Sequence, residues 1–149
     1  MVSEMKIYVI QIIAAGVGTL GFGLLFNLRT KHLVTAVLGG VFTWAVYLVL
    51  AGQIEGIFYP TLIASAFAAL YSELMARKFK APVPLYLLPS VVPLIPGGSL
   101  YYAMSYSVER NWQLSGEYGL ATLQFALAIA VGMSVVWAAA DMIKRGVRK

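Results

Sequence analysis

The residues best placed to do chemistry in this chain are prolines and glycines, because they break a backbone. Five of the six prolines fall between positions 82 and 96: Pro82, Pro84, Pro89, Pro93 and Pro96, with Gly97, Gly98 and Ser99 directly after. The flanks, Leu85 to Leu88 and Leu100 to Met104, are apolar enough for a bilayer. A proline inside a helix removes an N–H and costs roughly 3 kcal/mol, and in hydrocarbon a freed carbonyl has no water to turn to. Pro89, Pro93 and Pro96 stand four and three residues apart, on one helical face. They are expected to free the carbonyls of Leu85, Pro89 and Val92. Gly97 and Gly98 allow positive φ and a reversal of the chain. Ser99 is then expected to cap a second short helix over about 100–108, whose first amides carry partial positive charge. Such a break offers carbonyls to a cation and amides at Gly97–Ser99 to a carboxylate, as the broken helices of transporters do. The plainer alternative is a proline kink that holds no ligand.

Tyr101 and Tyr102 follow the break and bring hydroxyls to it; an interfacial aromatic belt is the competing role and suits Tyr106 and Trp112 better. Glu73 is the acid of most interest. With Arg77 four residues on, it reads either as an interfacial ion pair or as a proton carrier or gate. Asp141 and Arg145 repeat that spacing nearer the tail. Asn27 either caps the first helix or lines a gate. His32 reads as a loop cation, and one histidine without cysteines cannot build a metal site. No nucleophile–base pair, metal cluster or phosphate loop is apparent, so neither an enzyme nor a cofactor is expected.

The elements that must position these residues are membrane spans. The chain of 149 residues is 60% hydrophobic and only 11% charged, against about 25% charged in a soluble domain, and its mean hydropathy is +0.81. Five stretches are long enough to cross a bilayer, at about 6–27, 33–52, 57–76, 83–107 and 118–142. The fold class expected is therefore an all-α integral membrane protein. It is one domain over 1–149, with five transmembrane helices, the fourth broken at the Pro/Gly motif. The apolar run after Lys6 is too long for a typical signal peptide and is read as the first span.

Nine of the eleven Lys and Arg residues lie in the connector around Arg29, the connector around Arg77, and the tail after residue 143. Five spans put all three on one side, which the positive-inside rule makes the cytoplasm, with the N-terminus out and the C-terminus in. The same rule accounts for the net charge of +5 without nucleic acid. An odd number of spans entering from outside suits the second half of a five-plus-five inverted repeat, with a separate polypeptide as one place for the first half. Small residues at Ala14 and Gly18, Ala64 and Ala68, and Ala128 and Gly132 allow close helix packing, within the chain or against another subunit, a second copy included.

The run Ser72-Glu73-Leu74-Met75-Ala76-Arg77-Lys78-Phe79-Lys80-Ala81-Pro82, continued through Leu88-Pro89-Ser90-Val91-Val92-Pro93-Leu94-Ile95-Pro96-Gly97-Gly98, resembles the threonine/serine exporter family. The closer likeness is to the small integral subunit of its split, two-chain form. Gly21-Phe22-Gly23-Leu24-Leu25-Phe26-Asn27 resembles that family's first span, and the likeness covers roughly residues 10–140. It implies export of small carboxylated metabolites, threonine and serine or dicarboxylates such as succinate, across a prokaryotic cytoplasmic membrane. It also implies a larger five-span partner with a cytosolic N-terminal domain. Carried over from the motif, Pro93, Pro96, Gly97 and Glu73 are the positions of interest. Gly98, Ser99, Tyr101, Tyr102 and Asn27 rest on the residue chemistry alone. The alternatives are a passive channel subunit and a scaffold that stabilises a larger transporter.

Overall fold

A computed structural model describes residues 2–147, with side chains described from 6 to 143. Its elements are α1 (Val2–Leu25), α2 (Thr30–Ala51), α3 (Phe58–Phe79), α4 (Pro84–Val91), a 3-10 turn at Val92–Leu94, α5 (Gly97–Val108) and α6 (Trp112–Val147). Among the described residues all regular structure is helical. The tail cations Lys144, Arg145, Arg148 and Lys149, and with them the expected Asp141–Arg145 pairing, lie outside the described side chains.

Three helices end in one way. After α1 the Asn27 N–H donates to Leu24 O (2.9 Å) and the Leu28 N–H to Gly23 O (3.1 Å). The same pair of bonds recurs at Lys80 and Ala81 after α3, and at Arg110 and Asn111 after α5. Each time the central residue is left-handed, at φ 54° for Asn27, 51° for Lys80 and 60° for Arg110. This motif satisfies the last carbonyls of a helix and turns the chain sharply. Asn27 is thus a C-terminal cap through its backbone, and its side chain is exposed. Asn111 then starts α6 at once, its Oδ1 accepting from the Leu114 N–H at 3.3 Å. The last connector is therefore 109–111 rather than 108–117. At 1.5 Å per residue the 36 residues of α6 run about 54 Å, longer than the hydrocarbon core of about 30 Å.

Helices α1, α2 and α6 are each long and apolar enough to cross a membrane, and the bent pair Pro84–Leu94 with Gly97–Val108 makes a fourth crossing if it is one span. The protein is thus a multi-pass membrane protein of three to four such spans. Helix α3 has 22 residues but does not meet the same standard. It carries its polarity inward: Thr61, Ser65, Ser72 and Glu73 are all buried, because α3 lies between α2, α4 and α6. A helix covered by its neighbours need not match lipid around its whole circumference.

The core is built on small residues. Ala64, Ala68 and Ala69 of α3 and Ala128 of α6 are fully buried. Gly132 of α6 stands so close to α3 that a Cβ there would collide with Ser65 Oγ and Leu62 O. The Ser65 hydroxyl donates to Leu62 O (2.9 Å) and Ala128 O (3.3 Å), tying the two helices. The expected small-residue contacts of the third and fifth stretches are thus made within the chain. In α1 only part of the glycine set is used: Gly16 meets Val41 Cγ2 at 3.2 Å, whereas Gly18 and Gly21 face open space.

Candidate functional site

The site is a break in a helix, so its geometry begins with the backbone. Pro89 lies inside α4, and Pro93 starts the next step of the ladder without an N–H to offer. The chain responds by tightening into the 3-10 turn, where bonds reach three residues instead of four. The Val92 N–H takes up Pro89 O, and the Ile95 N–H takes up Val92 O at 3.1 Å. The expected stripe of free carbonyls is therefore largely absent, since two of its three acceptors are already paired.

The bend itself is made at Pro96. Ile95 is extended, at φ −65° and ψ 123°, and Pro96 takes φ −79° and ψ 53°, close to an inverse γ-turn. The bond of that turn runs from the Gly97 N–H to Ile95 O at 2.8 Å. The two helices meet there at 50°. Proline, not glycine, makes the turn: Gly56 is the one glycine with positive φ among the described residues. Gly97 and Gly98 are ordinary helical residues and open α5. Ser99 is correspondingly not a cap. It lies in the first turn of α5, Pro96 holds the cap position, and no side chain caps this end. Of the amides at Gly97–Ser99 expected to face a carboxylate, that of Gly97 is already taken.

The break has two sides of different character. On the outer side, Gly97 and Gly98 are exposed and a Cβ on either would touch nothing within 4 Å. Tyr101 and Tyr102 are 67% and 48% exposed. Tyr102 joins a ring cluster with Tyr106 (6.3 Å between centroids) and Tyr118 of α6 (5.3 Å). Helix α5 packs on α6, and the Ser115 hydroxyl donates to Ala103 O at 2.8 Å across this hairpin.

On the inner side, Pro93 joins Gln11, Ala14 and Ala15 of α1 and Trp44 of α2 around a pocket of about 250 Å³. Of these residues Gln11 and Trp44 each bury a polar atom, Oε1 and Nε1, that has no hydrogen-bond partner among the described residues, as do Thr43 at Oγ1 and Ser90 at Oγ. Trp44 is held by stacking on Tyr47, with centroids 4.9 Å apart. Sequence reasoning missed Gln11 and Trp44. The available signal was a polar amide near the start of an otherwise apolar run, and nothing in the sequence pairs it with α2.

Glu73 and Asn27 are not part of this pocket. Glu73 lies near the end of α3, 5% exposed, where Arg77 donates to its Oε1 through Nη2 (3.1 Å) and Nε (3.3 Å). The ion pair expected from the spacing is formed. His32 lies not in the loop but in α2, where its Nδ1 is hydrogen-bonded to the buried Tyr86 hydroxyl at 2.5 Å and its ring meets Phe79 edge-on at 6.0 Å. No cluster of three potential metal ligands exists among the described residues.

The chain, an apolar helical bundle with a helix pair bent at Pro93–Gly97, is matched from Gln11 to Ala139 by a family model described as Threonine/Serine exporter, ThrE. The chain belongs to that family. Comparison with curated proteins and with solved structures returns no match. Membership in an exporter family makes transport the role and implies that the chain is not an enzyme. Nearly the whole described bundle lies within the matched region, including α3 with Glu73 and both sides of the break.

Proposed function

We propose that the chain is the small subunit of a secondary exporter that moves small carboxylated metabolites, threonine and serine or dicarboxylates such as succinate, out across a prokaryotic cytoplasmic membrane. It crosses five times, N-terminus out and C-terminus in, with α3 as the span whose polar face is spent inside the bundle. Its partner is a larger five-span chain with a cytosolic N-terminal domain. The observation that carries the reading is the 50° break at Pro96 between two apolar helices, in a chain of the exporter family. A continuous span would serve a scaffold equally well, whereas the broken one sets Pro93 into the wall of a pocket with residues of α1 and α2.

Three features support a partner. The outer side of the break carries bare glycine backbone, and among the described residues nothing lies within 4 Å of where a Cβ of Gly97 or Gly98 would stand. The α5–α6 hairpin exposes Tyr101, Tyr102 and Met104. The basic connectors fall on one side only if the span count is odd.

The test is efflux of labelled threonine, serine and succinate from cells expressing the chain with and without the larger subunit. Faster efflux of one solute, dependent on Pro96, supports the reading. Efflux of all three unchanged in both arms would sink it.

A further inference from the structure

We infer that the surface where the α1–α2 and α3–α4 connectors meet binds an anionic phospholipid, whose phosphate is held by Arg29, Lys31, Lys78 and Lys80. The site goes beyond the exporter reading and does not depend on it, since a chain that exports nothing can still hold a lipid.

The two connectors are far apart in sequence and joined in the fold. The His32 ring meets Phe79 at 6.0 Å and Tyr86 at 5.7 Å. Leu28 of the first connector and Ala81 of the second pack against one cluster, formed by Ala36, Ala76 and Tyr86. Arg29 and Lys31 stand beside His32 in the chain, and Lys78 and Lys80 stand on either side of Phe79. All four cations are exposed. The Lys78 ammonium lies 5.7 Å from the centre of the Phe79 ring, which places it at the joint.

The charge there is uncompensated. Arg77 is engaged with Glu73, and among the described residues no salt bridge reaches the other four. Like charges gathered on one surface repel, and a bound anion removes that cost. The positive-inside rule counts the cations in a connector. It does not require two basic connectors to pack against each other.

Depth and neighbours select a lipid. Helices α1 and α2 are each long and apolar enough to cross a membrane, so the turn between them lies at a membrane surface. The contact of His32 with Phe79 brings the second connector to that same surface. Headgroups occupy this level, just outside the hydrocarbon core, and basic surfaces between spans there attract anionic ones. On the hydrocarbon side of the cations, Leu25, Phe26 and Leu74 are exposed. An amphiphile with a phosphate above and acyl chains below matches both surfaces, whereas a soluble anion matches only the cations. Beneath the headgroup lies the hydrogen bond from His32 of α2 to Tyr86 of α4, so a lipid bound there braces the entry to the broken span.

The test uses the full chain in phosphatidylcholine bilayers carrying a trace of photoreactive phosphatidylglycerol, or of the same probe with a choline headgroup, with crosslinks mapped by peptide. The phosphatidylglycerol probe should label 25–32 and 77–82 at least about tenfold more than the choline probe, and should label 52–57, at the other end of α2, no more than the choline probe does. Lys31→Gln and Lys80→Gln should each cut the excess about fivefold; each leaves three of the four cations to orient and fold the chain. Equal labelling of both segments by the two probes would overturn the site, as would an excess unchanged in both variants or one confined to the tail beyond residue 143. Loss of the excess to inorganic phosphate, but not to sodium chloride of equal ionic strength, would assign the patch to a free anion and overturn the lipid. Loss of it on adding the larger subunit would assign the patch to an acidic protein segment instead. None of these readouts uses transport, so failure of the site leaves the exporter reading standing, and absence of export leaves the site standing.

Discussion

Gly39 of α2 lies so close to Ser90 of α4 that a methyl group on its α-carbon would overlap the serine hydroxyl. The same methyl would stand 2.7 Å from Cε1 of Tyr71 on α3, so one missing side chain sets the spacing of three helices. The Tyr71 hydroxyl donates to Thr35 O at 2.8 Å, one turn before Gly39, and pins the contact.

Gly39→Ala should therefore destabilise the bundle by roughly 1–3 kcal/mol, the usual cost of overpacking. Gly97→Ala should be neutral or stabilising by up to about 1 kcal/mol, because the site is helical, open and relieved of glycine's entropy. Thermal unfolding in detergent measures both. Equal destabilisation by the two would contradict the packing described.

Pro96→Ala restores an N–H and removes the fixed φ at the turn. Because proline disfavours a helix interior by about 3 kcal/mol, its loss should let α4 and α5 approach one continuous helix. Spin labels at Leu88 and Tyr101, both exposed, should move apart, and export should fall about tenfold or more if the barrier rises by one hydrogen bond's worth. An unchanged label distance would show that Pro96 does not set the bend.

Glu73→Gln keeps the shape and removes the charge beside Arg77. If Glu73 carries the coupled proton, export by the unaltered complex should accelerate as the outside is acidified, and the variant should lose that dependence. A pH profile of efflux decides. A steep profile retained in the variant would move the coupling elsewhere, and a flat one in the unaltered complex would favour a passive channel.

Tyr86→Phe keeps the ring between His32 and Phe79 but deletes the hydroxyl bonded to His32 Nδ1. The expected loss is about 0.5–1.5 kcal/mol, one net hydrogen bond. Denaturant or thermal unfolding reads it, and no loss at all would mean that the bond contributes nothing.

Orientation is open to direct labelling, since the chain has no cysteine. Single cysteines at Gln53 and Glu109 should react with an impermeant maleimide added outside intact cells. Those at Arg29 and Lys78 should react only after permeabilisation. Any other pattern would revise the five-span arrangement.

The composition and order of residues were enough to place most helices, because 20 consecutive apolar residues have few stable alternatives in lipid. Local chemistry was enough to locate the break, since a proline without an N–H interrupts the ladder wherever it stands, and to pair Glu73 with Arg77 one turn apart. How the backbone absorbs the break was not legible. Whether Pro96 or Gly97 makes the turn, and whether Val92 O stays free, depends on which short-range bonds the surrounding packing permits. The same limit applies to Ser99, whose role hinged on a helix start two residues away from where it falls. Gln11 with Trp44, Gly39 with Ser90, and His32 with Tyr86 were decided by tertiary structure alone. Helix periodicity says which residues share a face, but only the packing of one helix on another says what that face meets.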